Sequence, residues 1–252
     1  MIWIGTSGWI YPHWVGRFYP PELPASEHLS FYARHFLTVE INRSFYRLPT
    51  YNQFQHWGQQ VQHTPDFLFA VKASRYITHM KKLHAADDGV QRLISAAQGL
   101  GQHLGPFLYQ LPPHWHANPE RLAQFATHLP RTHRAAFEFR DASWFQPGML
   151  PALQRILHNA GAALVLSVGG ELPTPPDLPS TATFCYIRVH HGAQGIGLSD
   201  DELASWEKRL RAEHAAGHDT YIYFNNDAEA HAVLDARRLQ QRLADLLPPL
   251  FT

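Results

Sequence analysis

Eight short runs rich in β-branched and aromatic residues, most of them separated by amphipathic helical stretches, constrain this chain more than any other feature. The runs are Ile2–Gly5, Thr38–Asn42, Leu68–Lys72, Phe107–Gln110, Ala136–Arg140, Ala163–Ser167, Phe184–His190 and Thr220–Asn225. They recur roughly every 30 residues, the length of one strand–helix–strand unit, which predicts parallel strands with helices packed outside them. A chain of 252 residues suits eight such units closed into one TIM-type β/α barrel domain spanning residues 1–252. The competing architecture is a doubly wound open sheet. It would carry a glycine-rich phosphate turn after the first strand, and the string Gly5-Thr6-Ser7-Gly8-Trp9 is too short to be one.

Helix starts are expected after Ser26, after Asn118-Pro119 and after Ser199, where capping side chains, early acids and a closing Gly217 agree. One interval departs from the pattern. Between the sixth and seventh runs lie Pro173, Pro175, Pro176 and Pro179, which forbid a regular helix, so a proline-rich loop is expected to replace the sixth helix.

Bulk composition excludes several functions. Lys and Arg together number 21, as do Asp and Glu, so there is no basic field to drive bulk nucleic-acid binding. No long apolar run suits a membrane span, and the N-terminus lacks a basic segment leading into one. The single cysteine, Cys185, rules out an intrachain disulfide and fits a reducing, cytoplasmic compartment. Its parity points it at the helices, where a thiol acts as a small apolar group. The 18 histidines are scattered, with His114-x-His116 and His190-His191 the only close pairs, which reads as surface histidine and not as a metal cluster.

Because successive strand residues face opposite ways, polar residues can be sorted by parity. Thr38, Glu40 and Asn42 share one face of the second run, and Glu138 and Arg140 share one face of the fifth. Tyr186, Arg188 and His190 align in the seventh run, and Tyr221, Tyr223 and Asn225 in the eighth, while Lys72 and Gln110 end the third and fourth. If the apolar sets face the helices, these polar sets converge inside the barrel at the C-terminal ends of the strands, where barrel active sites are built. Burying such groups unpaired would cost several kcal/mol each. Lys72 is therefore expected within reach of a carboxylate. A purely structural network, with Glu40 and Glu138 satisfying Lys72, Arg140 and Arg188, is the alternative.

Several ordered strings, GTSGWIYPHWVGRFYP, VEINRSFYRLP, FLFAVKASRYITHMKKL, LGPFLYQLPP, AFEFRDASW, CYIRVHHG and YIYFNND, resemble the YecE-like family, domain of unknown function 72. The resemblance runs from Ile4 to about Ala236. It implies a TIM-type barrel distantly likened to sugar isomerases, with no settled activity. Its motifs fall on Thr6, Ser7, Trp9, Glu40, Asn42, Lys72, Gln110, Pro112, Glu138, Arg140, Trp144, Arg188, His190, Asn225, Asn226 and Asp227. Two departures concern loop shape: Arg43 stands where the family has a small residue, and no glycine follows the Asn-Asn-Asp motif.

The expected chemistry is acid–base catalysis on a small polar molecule, sugar-like or phosphorylated, by an isomerase or a hydrolase. Glu40, Lys72, Glu138 and His190 are the catalytic candidates. Thr6, Trp9, Asn42, Gln110, Arg140, Trp144, Arg188, Tyr223, Asn225 and Asn226 are the binding candidates. Trp9, Trp14, Trp115 and Trp144 sit in loops where they could stack on a sugar or a base. Gly192, Gly195 and Gly197 after the seventh strand could bring backbone amides to a phosphate. No cofactor is expected, and a divalent metal is not supported by two inward carboxylates and one histidine. The alternative is a non-catalytic barrel that binds a nucleotide, a sugar or single-stranded nucleic acid at its mouth. Oligomeric state is not encoded in these patterns.

Overall fold

Each of the eight runs forms a strand, and the strands close on themselves in chain order, every neighbour parallel. The structure, a computed structural model, describes residues 1–248. The strands are β1 (Ile2–Ser7), β2 (Thr38–Ile41), β3 (Leu68–Lys72), β4 (Leu104–Gln110), β5 (Ala135–Glu138), β6 (Ala163–Val168), β7 (Phe184–Val189) and β8 (Asp219–Phe224). Closure runs through β1 and β8, from Ile2 opposite Thr220 to Thr6 opposite Phe224. The helices are α1 (His28–Ala33), α2 (Arg43–Tyr46), α3 (Tyr51–Gln60), α4 (Asp87–Ala97), α5 (Pro119–Thr127), α6 (Leu150–Ala160), α7 (Asp200–Ala215) and α8 (His231–Arg242).

Local chemistry explains the helix starts. Ser199 and Glu202 form a reciprocal capping box at α7, Thr50 and Gln53 form another at α3, and Asn118 caps α5 with Pro119 in its first turn. Ser26 does not cap a helix as expected; it lies in the short 3₁₀ turn Ala25–Glu27 that leads into α1.

Parity sorts the core into two shells. Val39, Phe69, Tyr109, Phe137, Ile187 and Ile222 pack outward against the helices. Trp3, Ala70, Leu108, Val165, Tyr186 and Tyr223 fill the inside. The bottom of the barrel is plugged by Trp3 stacked on Tyr221 at 4.8 Å, beneath Arg134, which bonds the Tyr221 hydroxyl and Asp219. The barrel interior is therefore closed at this end, and the strand C-termini form its mouth.

No helix forms between β6 and β7, in keeping with the proline-rich sequence of residues 169–183. Two threonines do the helix's work there. β6 pairs with β5 only at Ala163 and Leu164. Beyond that point the Thr174 hydroxyl accepts from Ser167 N and donates to Val165 O, while Thr174 N donates to Ser167 O. Thr181 likewise accepts from Leu164 N and donates to Ala162 O. The loop thus stands in for the missing upper strand contact and satisfies β6 backbone groups that would otherwise be stranded.

Candidate active site

The inward residues at the strand ends converge on one buried guanidinium. Arg188 on β7, 1% exposed, grips Glu40 on β2 with two bonds, Nε to Oε2 at 3.0 Å and Nη2 to Oε1 at 2.8 Å. Its Nη1 donates to Glu138 Oε2 on β5 at 2.7 Å. Ser7 Oγ donates to Glu40 Oε1 at 2.6 Å, and the Tyr186 hydroxyl donates to Glu40 Oε2 at 2.7 Å. Glu40 thereby accepts four bonds, the full capacity of a carboxylate, and has no lone pair left for a substrate. Burial alone would raise its pKa, but the Arg188 charge and bonds outweigh that and hold it below the ordinary carboxylate range.

Glu138 is occupied differently. Its Oε2 accepts from Arg188 and from Gln110 Nε2 at 3.0 Å, while its Oε1 faces His190 Nε2 at 3.4 Å. Burial pushes this carboxyl up, yet Arg188, then His190 and Lys72, hold it well below the usual range. The other imidazole nitrogen, His190 Nδ1, meets the Asn225 amide nitrogen at 3.1 Å. A carboxylate-oriented imidazole at a barrel mouth is a standard acid–base arrangement.

Lys72 corrects an expectation. Among the described residues no carboxylate pairs with its Nζ, because Arg188 has taken both; the ammonium lies 4.5 Å from the centre of the Phe45 ring instead. Burial and then Arg188 pull its pKa down to about 8, against the opposing attraction of Glu40 and Glu138. Arg140, just past the end of β5, is 29% exposed at its side chain and among the described residues pairs with the exposed Glu171 alone, at 3.3 Å. It lines a cleft of about 680 Å³ together with Pro113, His114, Asp141 and Gln146, on the side where β5 and β6 have parted. Asn42, between β2 and α2, has its Oδ1 buried and without a partner among the described residues.

Two contributors escaped the sequence reading. His79 sits in a π-helical turn, Tyr76–Met80, directly after β3, with its ring 4.9 Å from Phe45. Burial, then Lys72, Arg140 and Arg75, drive its pKa down to about 4, so the imidazole is neutral. Lys82, Leu83 and Ala85 follow in the left-handed region, and such strain together with π-turns gathers at functional sites. The available signal was position: His79 follows a strand end, as the chosen candidates do. Phe45, the second, lies in α2 after β2 and was hidden among many aromatics.

Five binding candidates lie elsewhere. Thr6 points outward, where its hydroxyl and amide meet the Tyr32 hydroxyl from α1. Trp9 packs edge-on against Trp57 and Phe69, and Trp144 is fully buried against Phe139 and Trp115, both in the outer shell. Tyr223 is inside but fully buried, its hydroxyl bonded to Thr38 Oγ1. Asn226 Nδ2 ties Ile196 O to Asp235 of α8. Trp14 and Trp115 are buried too, so no loop tryptophan offers a stacking face at the mouth. The glycine loop after β7 has amides already engaged, Ala193 N by Glu202 and Leu198 N by Asp235. After the Asn-Asn-Asp motif, Glu229 and Ala230 adopt positive φ, 56° and 66°, where the family's missing glycine would fit without strain.

Cys185 is buried on the outer wall as expected, and burial pushes its thiol up to about 12. Its sulfur, Glu213 and His218 lie within 4.8 Å of one another, a grouping of metal-ligand types remote from the mouth, and Ser180 and Arg209 already engage Glu213.

An eight-stranded parallel β/α barrel with a charged, histidine-bearing mouth is the class that this geometry defines. Within it the chain belongs to the DUF72 family, proteins of unknown function, whose profile matches residues 3–249. It is 25% identical to UPF0759 protein YunF of Bacillus subtilis over 275 residues, covering 96% of this chain and 95% of the relative. It is 31% identical to UPF0759 protein YecE of Escherichia coli over 170 residues, 66% of this chain and 58% of that protein. The crystal structure of a DUF72 family protein from Thermotoga maritima superposes with a TM-score of 0.82 at 25% identity, covering 97% of this chain and 99% of that one. A DUF72 family protein from Enterococcus faecalis shares the fold, with a TM-score of 0.82 at 17% identity over 100% of this chain and 98% of its own.

Proposed function

We propose that the barrel mouth binds and transforms a small anionic molecule, sugar-like or phosphorylated, by acid–base chemistry of the isomerase or hydrolase kind. One observation carries this reading: a single arginine takes up both buried carboxylates, so that Lys72 inside the mouth and Arg140 on an open cleft are left as positive charge without a strong partner. An anionic ligand supplies the compensation that the protein withholds. His190, oriented by Glu138, is the proton-transfer group, and the substrate proton takes the place that the Asn225 amide holds at Nδ1. This shifts the acid–base role from the carboxylates to the imidazole, since Glu40 has no free lone pair.

The burial of every loop tryptophan takes support from a binder built on aromatic stacking. We place the chemistry in the cytoplasm, where the free thiol of Cys185 suits a reducing compartment.

Calorimetry with inorganic phosphate and a panel of sugar phosphates tests the reading. Binding should weaken about tenfold or more in Arg140→Met, the loss of one charge-assisted contact, while the corresponding neutral sugars do not bind. His190→Gln should abolish turnover of any bound substrate and spare its affinity. Equal affinity for charged and neutral sugars would overturn the anion reading, and full turnover without His190 would overturn its role.

A further inference from the structure

Lys72 has a second capability that anion attraction does not use. The chain has only four lysines, Lys72, Lys81, Lys82 and Lys208, and Lys72 is the one whose side chain points inside the barrel. Its Nζ makes no hydrogen bond or ion pair among the described residues. A buried amine without a carboxylate partner is the setting in which lysine acts as a nucleophile. The neutral imidazole of His79 borders the same Phe45 ring, and its Nε2 bears no hydrogen bond among the described residues. Arg140 remains to hold an anionic group, since a guanidinium stays charged at any working pH.

We infer that Lys72 is a covalent catalytic residue that condenses with the carbonyl of a small anionic aldehyde or ketone to form a Schiff base. This rests on the anion-binding reading of the same mouth and narrows its substrate class to carbonyl compounds. The amine lone pair attacks the carbonyl carbon, and the C=O pair moves to oxygen. The proton lost by nitrogen reaches that oxygen by way of His79, which gives a carbinolamine. The hydroxyl then leaves as water, taking a further proton, as the nitrogen lone pair forms the C=N bond. The resulting iminium draws electrons from the adjacent carbon, so a proton there becomes removable by a base such as His190. Water reverses the condensation and releases product. No redox partner is needed.

The charged groups around Nζ decide when the free amine exists. Arg188 from β7 and Arg140 past β5 disfavour the ammonium, as burial does, while Glu40 from β2 and Glu138 from β5 favour it. His79 in the turn after β3 is uncharged at neutral pH. Lys72 should therefore be reactive at a pH where ordinary lysines are still protonated.

The test uses glyoxylate, the smallest anionic aldehyde, with sodium cyanoborohydride on the full-length protein, followed by peptide mass mapping. Lys72, whose pKa burial and Arg188 hold down to about 8, should be alkylated at least about tenfold faster than Lys81, Lys82 or Lys208 at pH 7.5. Its rate should rise with pH through a midpoint near 8, inorganic phosphate should slow it, and Lys72→Met should leave labelling only at the N-terminal amine and, slowly, at the other lysines. Labelling of Lys72 no faster than of the other three overturns the Schiff base. Phosphate calorimetry on the same samples separates the two ideas: if phosphate binds in an Arg140-dependent way while Lys72 stays unlabelled, the anion site stands and covalent catalysis fails.

Discussion

At the bottom of the barrel, Arg134 lies over the rings of Phe184 and Tyr221 and pairs with Asp219, with its side chain 38% exposed. At the mouth, Arg188 is sealed from water and shared between two carboxylates that are just as buried. The same side chain closes one end and organises the other. Solvent screens the lower pair, so it acts mainly as a polar lid on an aromatic plug. The upper network has no solvent to fall back on, and its three members are each costly unless all three are present. By taking both negative charges it also leaves Lys72 unpaired at the mouth. The stability of the upper network and the unpaired charge at the mouth thus have one cause.

The largest expected effect breaks the upper network. Arg188→Met strands Glu40 and Glu138 and should lower unfolding free energy by about 3–5 kcal/mol in urea titrations; a loss below about 1 kcal/mol would mean that the network is not what holds the mouth. Next, Lys72→Met should stabilise the protein at pH 7 by roughly 1–3 kcal/mol, because a buried ammonium whose pKa has fallen from 10.5 to about 8 is strained by its surroundings. The sign follows from proton counting. Between about pH 8 and 10.5 the unfolded wild-type chain binds more protons at this lysine than the folded one, so Lys72 makes stability rise with pH there, and the variant should lose that rise. A destabilised variant would show that Lys72 has a partner after all.

Acid sharpens the contrast between the two ends. Glu40 and Glu138 are held below their ordinary value of 4.5, so their contribution is fully present above that pH and is lost as pH falls beneath it. Urea midpoints should decline gently from pH 7 to 5, because His79 and His35 resist protonation in the folded chain, and then drop more steeply below about 4.5, and in Arg188→Met most of that second drop should vanish. The smallest effect belongs to the lower end: Arg134→Met should cost no more than about 1 kcal/mol. A loss equal to that at Arg188 would erase the distinction between lid and organiser.

Strand count, parallel order and the missing sixth helix were all legible, because hydrophobic period and four prolines leave few alternatives. So was the inward face of β2, β5 and β7, where charged residues alternate with Val, Ile and Phe. In β1 the choice of Thr6 came from the family motif, and Thr6 and Ser7 are both hydroxylic; it is Ser7 that turns inward and bonds Glu40. In β8 parity selects Asn225, which meets His190, whereas Asn226 came from the Asn-Asn-Asp motif and instead ties Ile196 O to Asp235. The tryptophans were correctly placed in loops, yet loop membership does not tell whether a ring folds over the mouth or back under the helices. Charge pairing was the deepest gap. Which carboxylate Arg188 takes depends on distances across the barrel that no local pattern encodes.

The proline-rich segment over β6 carries an evolutionary consequence. A helix at that position would have to keep its length and apolar stripe to pack on the wall, whereas this segment is anchored at the wall through Thr174 and Thr181. The stretch Glu171–Pro173 beside Arg140, between the Gly170 bond to His191 and the Thr174 anchor, can lengthen or shorten without repacking the barrel. The flank of the cleft next to Glu171 and Leu172 is accordingly the cheapest place for the width of the cleft to drift, while the Arg188 network stays unchanged.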